Sequence, residues 1–314
     1  MKKTDIYNEF WLYACERQNI FWKRISNNEG ILTDDSILRK YRFTNVYRAT
    51  DRVSQYLIKN VIYSGNYDGE NLLFRILLFK IFNNINTWEF IRDNLDSINY
   101  YSFKEKMYVQ LLDKLREKGR TLYSGAYIMP PGNIQFGNKK KHENHVALLS
   151  YMMKSNLTKK VTCSHGLKEL YETLLDYPVL GKFLAYQYSI DINYSELTDF
   201  DEMEFVIAGP GAHSGIHKCF SNLGDYSDED IIRYMTERQE EEFARLDLPF
   251  KYLGNRKLQL IDCQNIFCEL DKYTRVKYPN VTGVNGRTKI KRVYKRNIKP
   301  IDMFYPPKWH IEIG

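Results

Sequence analysis

Apolar residues recur at the helical period along most of this 314-residue chain. The pattern is clearest in segments 5–25 and 228–246, where apolar side chains three or four positions apart share one face of a helix. The same period is found in segments 70–83, 87–94, 103–118, 145–154, 164–175 and 178–189. These segments predict a mainly helical protein, organised either around one core or as two lobes with a cleft between them.

Two shorter features refine this prediction near the N-terminus. Thr33-Asp34-Asp35 has the composition of a helix cap. The segment 42–52 then predicts a helix that carries Asn45, Arg48 and Arg52 on one face. Such a face makes surface ion pairs in most proteins, but it also suits contacts with a flipped base or its phosphates.

Cysteine and histidine spacing argues against several classes of site. The five cysteines form no C-x-x-C pair, so neither a disulfide framework, a zinc ribbon nor an iron–sulfur centre is predicted. His213 and His217 are four positions apart, but we find no third ligand near them in the sequence and predict no metal. No cofactor is predicted. The chain has no long apolar run and no signal-peptide pattern, which predicts a cytoplasmic protein without a membrane segment.

Positive charge is concentrated at the C-terminal end. From Lys272 to Ile301 there are ten Lys or Arg and no Asp or Glu. Residues 272–314 carry a net charge of +9, whereas residues 1–271 carry −2. Aromatic residues alternate with these charges, a composition that favours binding to a nucleic-acid backbone, although a solvated tail is the alternative. The residues predicted to contact phosphates are Lys272, Arg275, Arg287, Lys289, Lys291 and Arg292.

Two further motifs suggest chemistry on a nucleotide. Gly209-Pro210-Gly211 precedes a predicted helix start, where free N–H groups attract phosphate oxygens. Asp262 opens an apolar helical run. An aspartate there caps the helix in most proteins, but it can also stabilise positive charge on a sugar as a base departs.

These two motifs, in this order, resemble the signatures of helix-hairpin-helix DNA glycosylases. The segment 207–215 resembles the hairpin, and 260–267 resembles the segment that carries the catalytic aspartate. The gap between the motifs is longer than in that family, and an acidic helical insertion at 225–247 would fill it. His213 stands where lyase-type members carry lysine, which implies a monofunctional, water-using reaction. From this resemblance we expect phosphate contacts from the hairpin 207–220, at Gly209, Gly211, His213 and Ser214.

A second resemblance extends over nearly the whole chain. It is to the alpha-glutamyl/putrescinyl thymine pyrophosphorylase family and to the helical domain of hydroxymethyluracil DNA kinases, groups that act on modified pyrimidines in phage DNA. The segments that carry it are Phe10-Trp11, Glu16-Arg17, Thr33–Asp35, Arg42–Arg48, Asp51-Arg52, Phe79–Asn83, Thr87-Trp88, Phe183–Gln187, Asp191, Gly209–Gly211 and Cys268–Tyr273.

Together the residues and the resemblances predict an enzyme that acts on DNA, and phage DNA is the expected substrate. The leading hypothesis is a monofunctional glycosylase of anti-phage defence that flips out and excises a modified pyrimidine, hypermodified or glycosylated, from phage DNA, with Asp262 as the catalytic carboxylate. A transferase that replaces pyrophosphate on an activated thymine methyl group with an amine is the first alternative, and a non-catalytic module that binds modified DNA is the second. The predicted domains are a helical body 1–271 and a basic aromatic segment 272–314. The predicted base pocket comprises Arg42, Asn45, Arg48, Arg52, Tyr123, Tyr127, Asp191 and Gln264.

Overall fold

The computed structural model describes residues 1–26, 30–297, 299–300 and 302–311. These residues are mainly helical, which confirms the predicted class. The helices are α1 (Tyr7–Ile25), α2 (Ser36–Lys40), α3 (Arg52–Tyr56), α4 (Gly69–Phe82), α5 (Ile85–Asp93), α6 (Glu105–Glu117), α7 (Asn133–Phe136), α8 (Lys141–Lys154), α9 (Leu157–Cys163), α10 (Leu167–Leu175), α11 (Lys182–Asn193), α12 (Pro210–Cys219), α13 (Asp228–Glu237), α14 (Gln239–Arg245) and α15 (Leu260–Lys277).

The remaining regular structure is short. Strands β1 (Lys2–Lys3) and β2 (Phe220–Asn222) pair antiparallel, with Lys3 opposite Phe220 and a register shift beside it. A π-helix spans Leu57–Ile62, and 3-10 turns span Arg48–Thr50 and Pro307–Trp309. Within the described ranges, no helix has the length and hydropathy that a membrane span requires.

The chain forms two compact units. Unit 1 comprises 1–52, 205–303 and 309–314, and unit 2 comprises 53–204 and 304–308. The predicted body 1–271 therefore contributes to both units, and the predicted C-terminal segment begins inside α15. Positions 298, 301 and 312–314 of that segment lie outside the described residues.

Unit 1 is built on a close crossing of α12 and α15. A Cβ atom added at Gly215 would lie 2.2 Å from the carbonyl oxygen of Phe267, and one at Gly211 would lie 3.0 Å from the Cys268 sulfur. Only glycine at position 215 lets the two backbones approach this closely. Gly211 and Gly215 therefore serve helix packing, which for Gly211 is a different use from the phosphate contact that we predict from the sequence.

Buried charges join the same two helices. The Asp271 carboxylate on α15 accepts a hydrogen bond from the Ser214 hydroxyl (2.8 Å) and lies 3.1 Å from the Lys218 ammonium. Burial alone would raise the pKa of Asp271, but hydrogen bonds from Asn285 and Arg275, with the charge of Lys218, hold that pKa below its usual range. Because each charge is paired, the contact is tolerated in the core.

Unit 2 is organised around α4, whose residues from Asn71 to Phe82 are all buried. α8 and α11 pack against it. α4 ends at Asn83, which adopts the left-handed conformation with φ of 47°. This C-terminal signal agrees with the end of the predicted segment 70–83.

The helix predicted for 42–52 is wrong. Residues 42–47 are irregular, and only the 3-10 turn and the start of α3 follow. Side chains here take backbone groups that a helix would use for its own hydrogen bonds. Asp51 Oδ1 accepts the Asn45 N–H (2.9 Å), and the Asn45 side-chain amide donates to the Thr50 carbonyl (2.9 Å). Such local bonds offer the chain an alternative to a helical ladder.

Gly215→Ala tests the crossing of α12 and α15. Alanine favours a helix by about 1 kcal/mol over glycine, but here its Cβ meets the Phe267 carbonyl. We expect a net loss of unfolding free energy of about 3 kcal/mol, measured by urea denaturation. Gly181→Ala is the control, because a Cβ there meets nothing within 4 Å. Equal stability of both variants would contradict the packing role.

Candidate nucleic-acid interface

The basic C-terminal segment pairs with the chain that follows α2. The Arg42 N–H donates to the Arg292 carbonyl (3.0 Å), and the Tyr294 N–H donates to the Lys40 carbonyl (2.9 Å). Tyr41 and Val293 form an antiparallel bridge between these two bonds. Backbone pairing thus fixes a segment whose side chains at 292–294 are exposed, so its position does not depend on burial of those side chains.

Arg52 extends this attachment. Its guanidinium donates to the Lys299 carbonyl (2.7 Å). We call residues 287–297 and 299 the basic segment, since all of its lysine and arginine residues are exposed. They are Arg287, Lys289, Lys291, Arg292, Lys295, Arg296 and Lys299. An exposed row of cations held by the main chain suits electrostatic contact with phosphates.

A polar cluster lies in the loop next to this pairing. The Arg17 guanidinium donates to the Asn45 side-chain oxygen (2.6 Å), and Asp51 accepts the Asn45 N–H. Burial raises the pKa of the Asp51 carboxyl to about 6, although the Asn45 hydrogen bond and the positive charge of Arg17 oppose the shift. A carboxyl with a pKa near the physiological range is suited to proton transfer.

Asp262 lies beside this cluster but is only 4% exposed. Its Oδ1 accepts the Arg48 N–H (2.8 Å), and its Oδ2 accepts the Gln259 N–H (3.0 Å). Gln259 caps α15, so Asp262 is the third helical residue and not the cap. Both oxygens hold backbone groups, which fixes the loop to α15. Catalysis by Asp262 stays a prediction, and this geometry gives an extruded sugar no direct access to its carboxylate.

The residues of the predicted hairpin have other contacts. Helix α11 ends at Asn193 and α12 begins at Pro210, so the described residues just before Gly209 do not form the first helix of a short hairpin. Ser214 is fully buried against Asp271, and the His213 imidazole contacts Asp228 at 2.5 Å. Gly209 is the N-terminal cap of α12, and the neighbouring Ala208 N–H already binds the Glu229 carboxylate (2.8 Å).

Three more of the predicted site residues lie on α15 and make contacts within that helix. Lys272 lies 2.6 Å from Glu269 and Arg275 pairs with Asp271, so the helix itself neutralises both cations. Gln264 is 2% exposed and donates to the Cys268 sulfur (3.3 Å). Arg275 and Gln264 are therefore largely buried, whereas Lys272 is partly exposed, and phosphate contact by Lys272 and Arg275 and base contact by Gln264 stay predictions.

Tyr123, Tyr127 and Asp191 belong to unit 2, whereas the other predicted pocket residues belong to unit 1. Asp191 forms a buried ion pair with Lys80 (2.5 Å), and the Lys80 ammonium lies 4.0 Å from the centre of the Tyr127 ring. Tyr127 has a φ of 53°, an uncommon conformation for a large side chain.

Tyr123 completes the polar side of this unit. Its hydroxyl lies 2.9 Å from His145 Nδ1, while His145 Nε2 lies 2.7 Å from the Pro130 carbonyl oxygen. Burial lowers the pKa of His145 to about 4. A neutral imidazole that donates from Nε2 and accepts at Nδ1 satisfies both contacts.

Sequence reasoning missed three residues. Lys80 has a usable signal, since a lysine inside the apolar run of α4 predicts a buried partner. Asp51 has a weaker signal, as its elevated pKa arises from burial in a non-helical loop. Asp228 lies eleven positions after His217 and is brought to it by the start of α13.

Comparison with known proteins decides the family. A family model described as "5-hmdU DNA kinase, helical domain" matches residues 4–283. The chain belongs to this family. This confirms the resemblance to the helical domain of hydroxymethyluracil DNA kinases, whereas the relation to helix-hairpin-helix glycosylases stays a prediction. The matched range includes the polar cluster, the Lys80–Asp191 pair and the α12–α15 crossing, and it ends before the basic segment.

A curated relative gives the family a concrete member. The chain is 26% identical to a 5-hmdU DNA kinase of Bacillus phage SP10, over 96% of this chain and 50% of the relative. The chain thus spans about half the length of that family member. No solved structure matches the chain.

The pKa of Asp51 predicts a pH dependence of stability. A carboxyl whose folded pKa is raised from 3.8 to about 6 holds its proton more tightly in the folded state. Its contribution is therefore full below pH 4 and is lost as the pH rises towards 6. Relative to Asp51→Asn, the wild type should lose up to roughly 3 kcal/mol of unfolding free energy between pH 4 and pH 7. A difference that does not change with pH would contradict the assignment.

A mutant cycle tests the Lys80–Asp191 pair. Lys80→Met leaves a buried carboxylate without its cation and should cost about 3–5 kcal/mol of unfolding free energy. The double variant Lys80→Met/Asp191→Leu removes both charges and should be more stable than the Lys80→Met variant. Urea denaturation measures both, together with the Asp191→Leu variant that completes the cycle. Additive losses would show that the two side chains do not interact.

Proposed function

We propose that this chain binds DNA that carries a 5-substituted pyrimidine of the hydroxymethyluracil class, with phage DNA as the first substrate to test. The observation that carries the proposal is the exposed basic segment, held by main-chain bonds beside the polar cluster of Arg17, Asn45 and Asp51. Family membership supports it, because the phage relative is named for a kinase that acts on such DNA.

Each part of this interface has a separate role in the proposal. The basic segment contacts phosphates on both sides of the modified nucleotide and supplies most of the affinity. The nucleotide is turned out of the stack so that its base reaches the polar cluster. Selectivity for a 5-substituent then depends on hydrogen bonds from that cluster, which a methyl group does not form.

For the reaction we retain a monofunctional glycosylase, with one change of residue. Water attacks C1′, the bond from C1′ to the base nitrogen breaks, and the base leaves with the electron pair. Asp51 is better placed than Asp262 to orient the water and accept its proton, because Asp51 is only partly buried and its pKa is near 6. Asp262 would serve the same step only after releasing the Arg48 N–H.

An amine-installing transferase is a second candidate, and one cavity favours it. This cavity of about 310 Å³ in unit 1 has Glu9, Glu16 and Asp35 in its wall, with Lys277 as the basic member. Lys277 pairs with Glu9 (2.7 Å) and Asp35 caps α2, so Glu16 would be the carboxylate that meets an amine cosubstrate. Kinase chemistry has no comparable support, since the 314 residues contain no G-x-x-x-x-G-K-[ST] loop.

The DNA-binding proposal predicts a change in salt dependence. If Lys289, Lys291 and Lys295 contact phosphates, replacing all three with alanine should make the slope of log affinity against log salt less negative by about 2.7. Fluorescence anisotropy with a labelled duplex measures that slope. Replacing three exposed lysines of unit 2, Lys106, Lys114 and Lys159, is the matched control for net charge. Equal slopes in the two triple variants would contradict the interface.

The reaction proposal is tested by its products. Duplexes containing 5-hydroxymethyluracil or thymine are incubated with the protein and then analysed by mass spectrometry for free base and for nucleosides of altered mass. We expect release of 5-hydroxymethyluracil and an abasic site, lost in Asp51→Asn and kept in Asp34→Asn, an exposed control.

Other outcomes discriminate between the alternatives. Loss of product in Asp262→Asn alone, with an unchanged unfolding midpoint, would restore Asp262 as the catalytic carboxylate. A heavier nucleoside formed with a supplied amine would identify a transferase. Tight, selective binding without any product would leave a binding module and remove the glycosylase proposal.

A further inference from the structure

A cluster of metal-ligating side chains lies where α12 faces α13. His213 and His217 lie one turn apart on α12, and Asp228 is the first residue of α13. His213 Nδ1 is 2.5 Å from one Asp228 oxygen, and His217 Nε2 is 3.6 Å from the other. All three ligand atoms lie within 4.8 Å of one another.

The placement of Asp228 has no helix-capping explanation. Ser227 caps α13, and Asp230 completes the capping box by accepting the Ser227 N–H (2.9 Å). The Asp228 carboxylate is instead directed at the two imidazoles. The adjacent Lys218 does not offset this ligand set, because its ammonium is buried against Asp271.

We propose that His213, His217 and Asp228 bind a divalent transition-metal ion, with zinc as the first choice. Two imidazole nitrogens and one carboxylate oxygen are a common zinc donor set, with ligand distances of about 2.0–2.2 Å. Ligands around a tetrahedral ion are then separated by roughly 3.3–3.6 Å. The His217–Asp228 contact already has that separation, and the His213–Asp228 contact, now 2.5 Å, would lengthen as the ion enters.

The ion would join α12 to α13 and keep a position open to solvent, since both histidines are at least a third exposed. This open position would take water or an anionic oxygen. From the sequence we predict no metal, because no third ligand lies near His213 and His217 along the chain. The fold brings Asp228 to them as that third ligand. The site does not depend on the proposed DNA reaction.

Cobalt(II) and zinc titrations of the full chain test this proposal. After chelator treatment and dialysis, we expect one cobalt(II) ion per chain, with visible bands of tetrahedral or five-coordinate geometry that zinc abolishes by displacement. His213→Ala/His217→Ala and Asp228→Asn should each weaken zinc binding at least tenfold by calorimetry. His165→Ala removes an exposed histidine elsewhere and should bind as the wild type does.

A second measurement keeps the test independent of variant folding. In the wild type, zinc should protect His213 and His217, but not His165, from diethylpyrocarbonate, as mapped by peptide mass spectrometry. Absence of zinc binding, zinc binding that the variants do not weaken, or modification of His213 and His217 that zinc does not reduce would leave a hydrogen-bonded His213–Asp228 pair and overturn the proposal.

Discussion

The contact between Gly215 and the Phe267 carbonyl is the constraint on which the rest of unit 1 depends. It brings α12 and α15 into close contact, and the buried pair of Lys218 and Asp271 fixes how they align. Buried side chains of α15 then hold the loop after α2. Asp262 accepts the Arg48 N–H, and Glu269 accepts the Thr44 N–H (3.0 Å). The loop thereby gains a fixed shape without regular secondary structure.

The same loop carries the basic segment. Its pairing with residues 292–294 uses main-chain groups, so the cations stay exposed while their position is determined. Buried carboxylates therefore act mainly as structural acceptors in this unit. Asp51 has a structural contact as well, but it is also suited to proton transfer. Burial of the Asp51 carboxyl raises its pKa, and among the described contacts it accepts one N–H, from Asn45, whereas Asp262 accepts two. This contrast is the reason to assign proton transfer to Asp51.

Local signals in the sequence predicted much of the fold. Helix α1 follows its apolar period, and Asp35 caps α2 by accepting the Ile37 and Leu38 N–H groups, as the Thr33-Asp34-Asp35 motif predicts. Exposure of the basic residues from Arg287 to Lys299 also follows from composition. The errors arise where distant segments meet. The glycines of α12 are required by the close approach of α15, and side-chain hydrogen bonds prevent a helix at 42–52. Neither cause can be read from the local pattern or from helix propensity.

Hydrogen exchange measured by mass spectrometry, with and without a duplex containing 5-hydroxymethyluracil, tests the central claim most directly. That claim is that the loop 40–52 and the basic segment form one DNA-binding face. The account expects slower exchange in peptides from both segments when the duplex is present, with little change at the N-terminal end of α12. Protection at Pro210–Ser214 with none in the basic segment would contradict it.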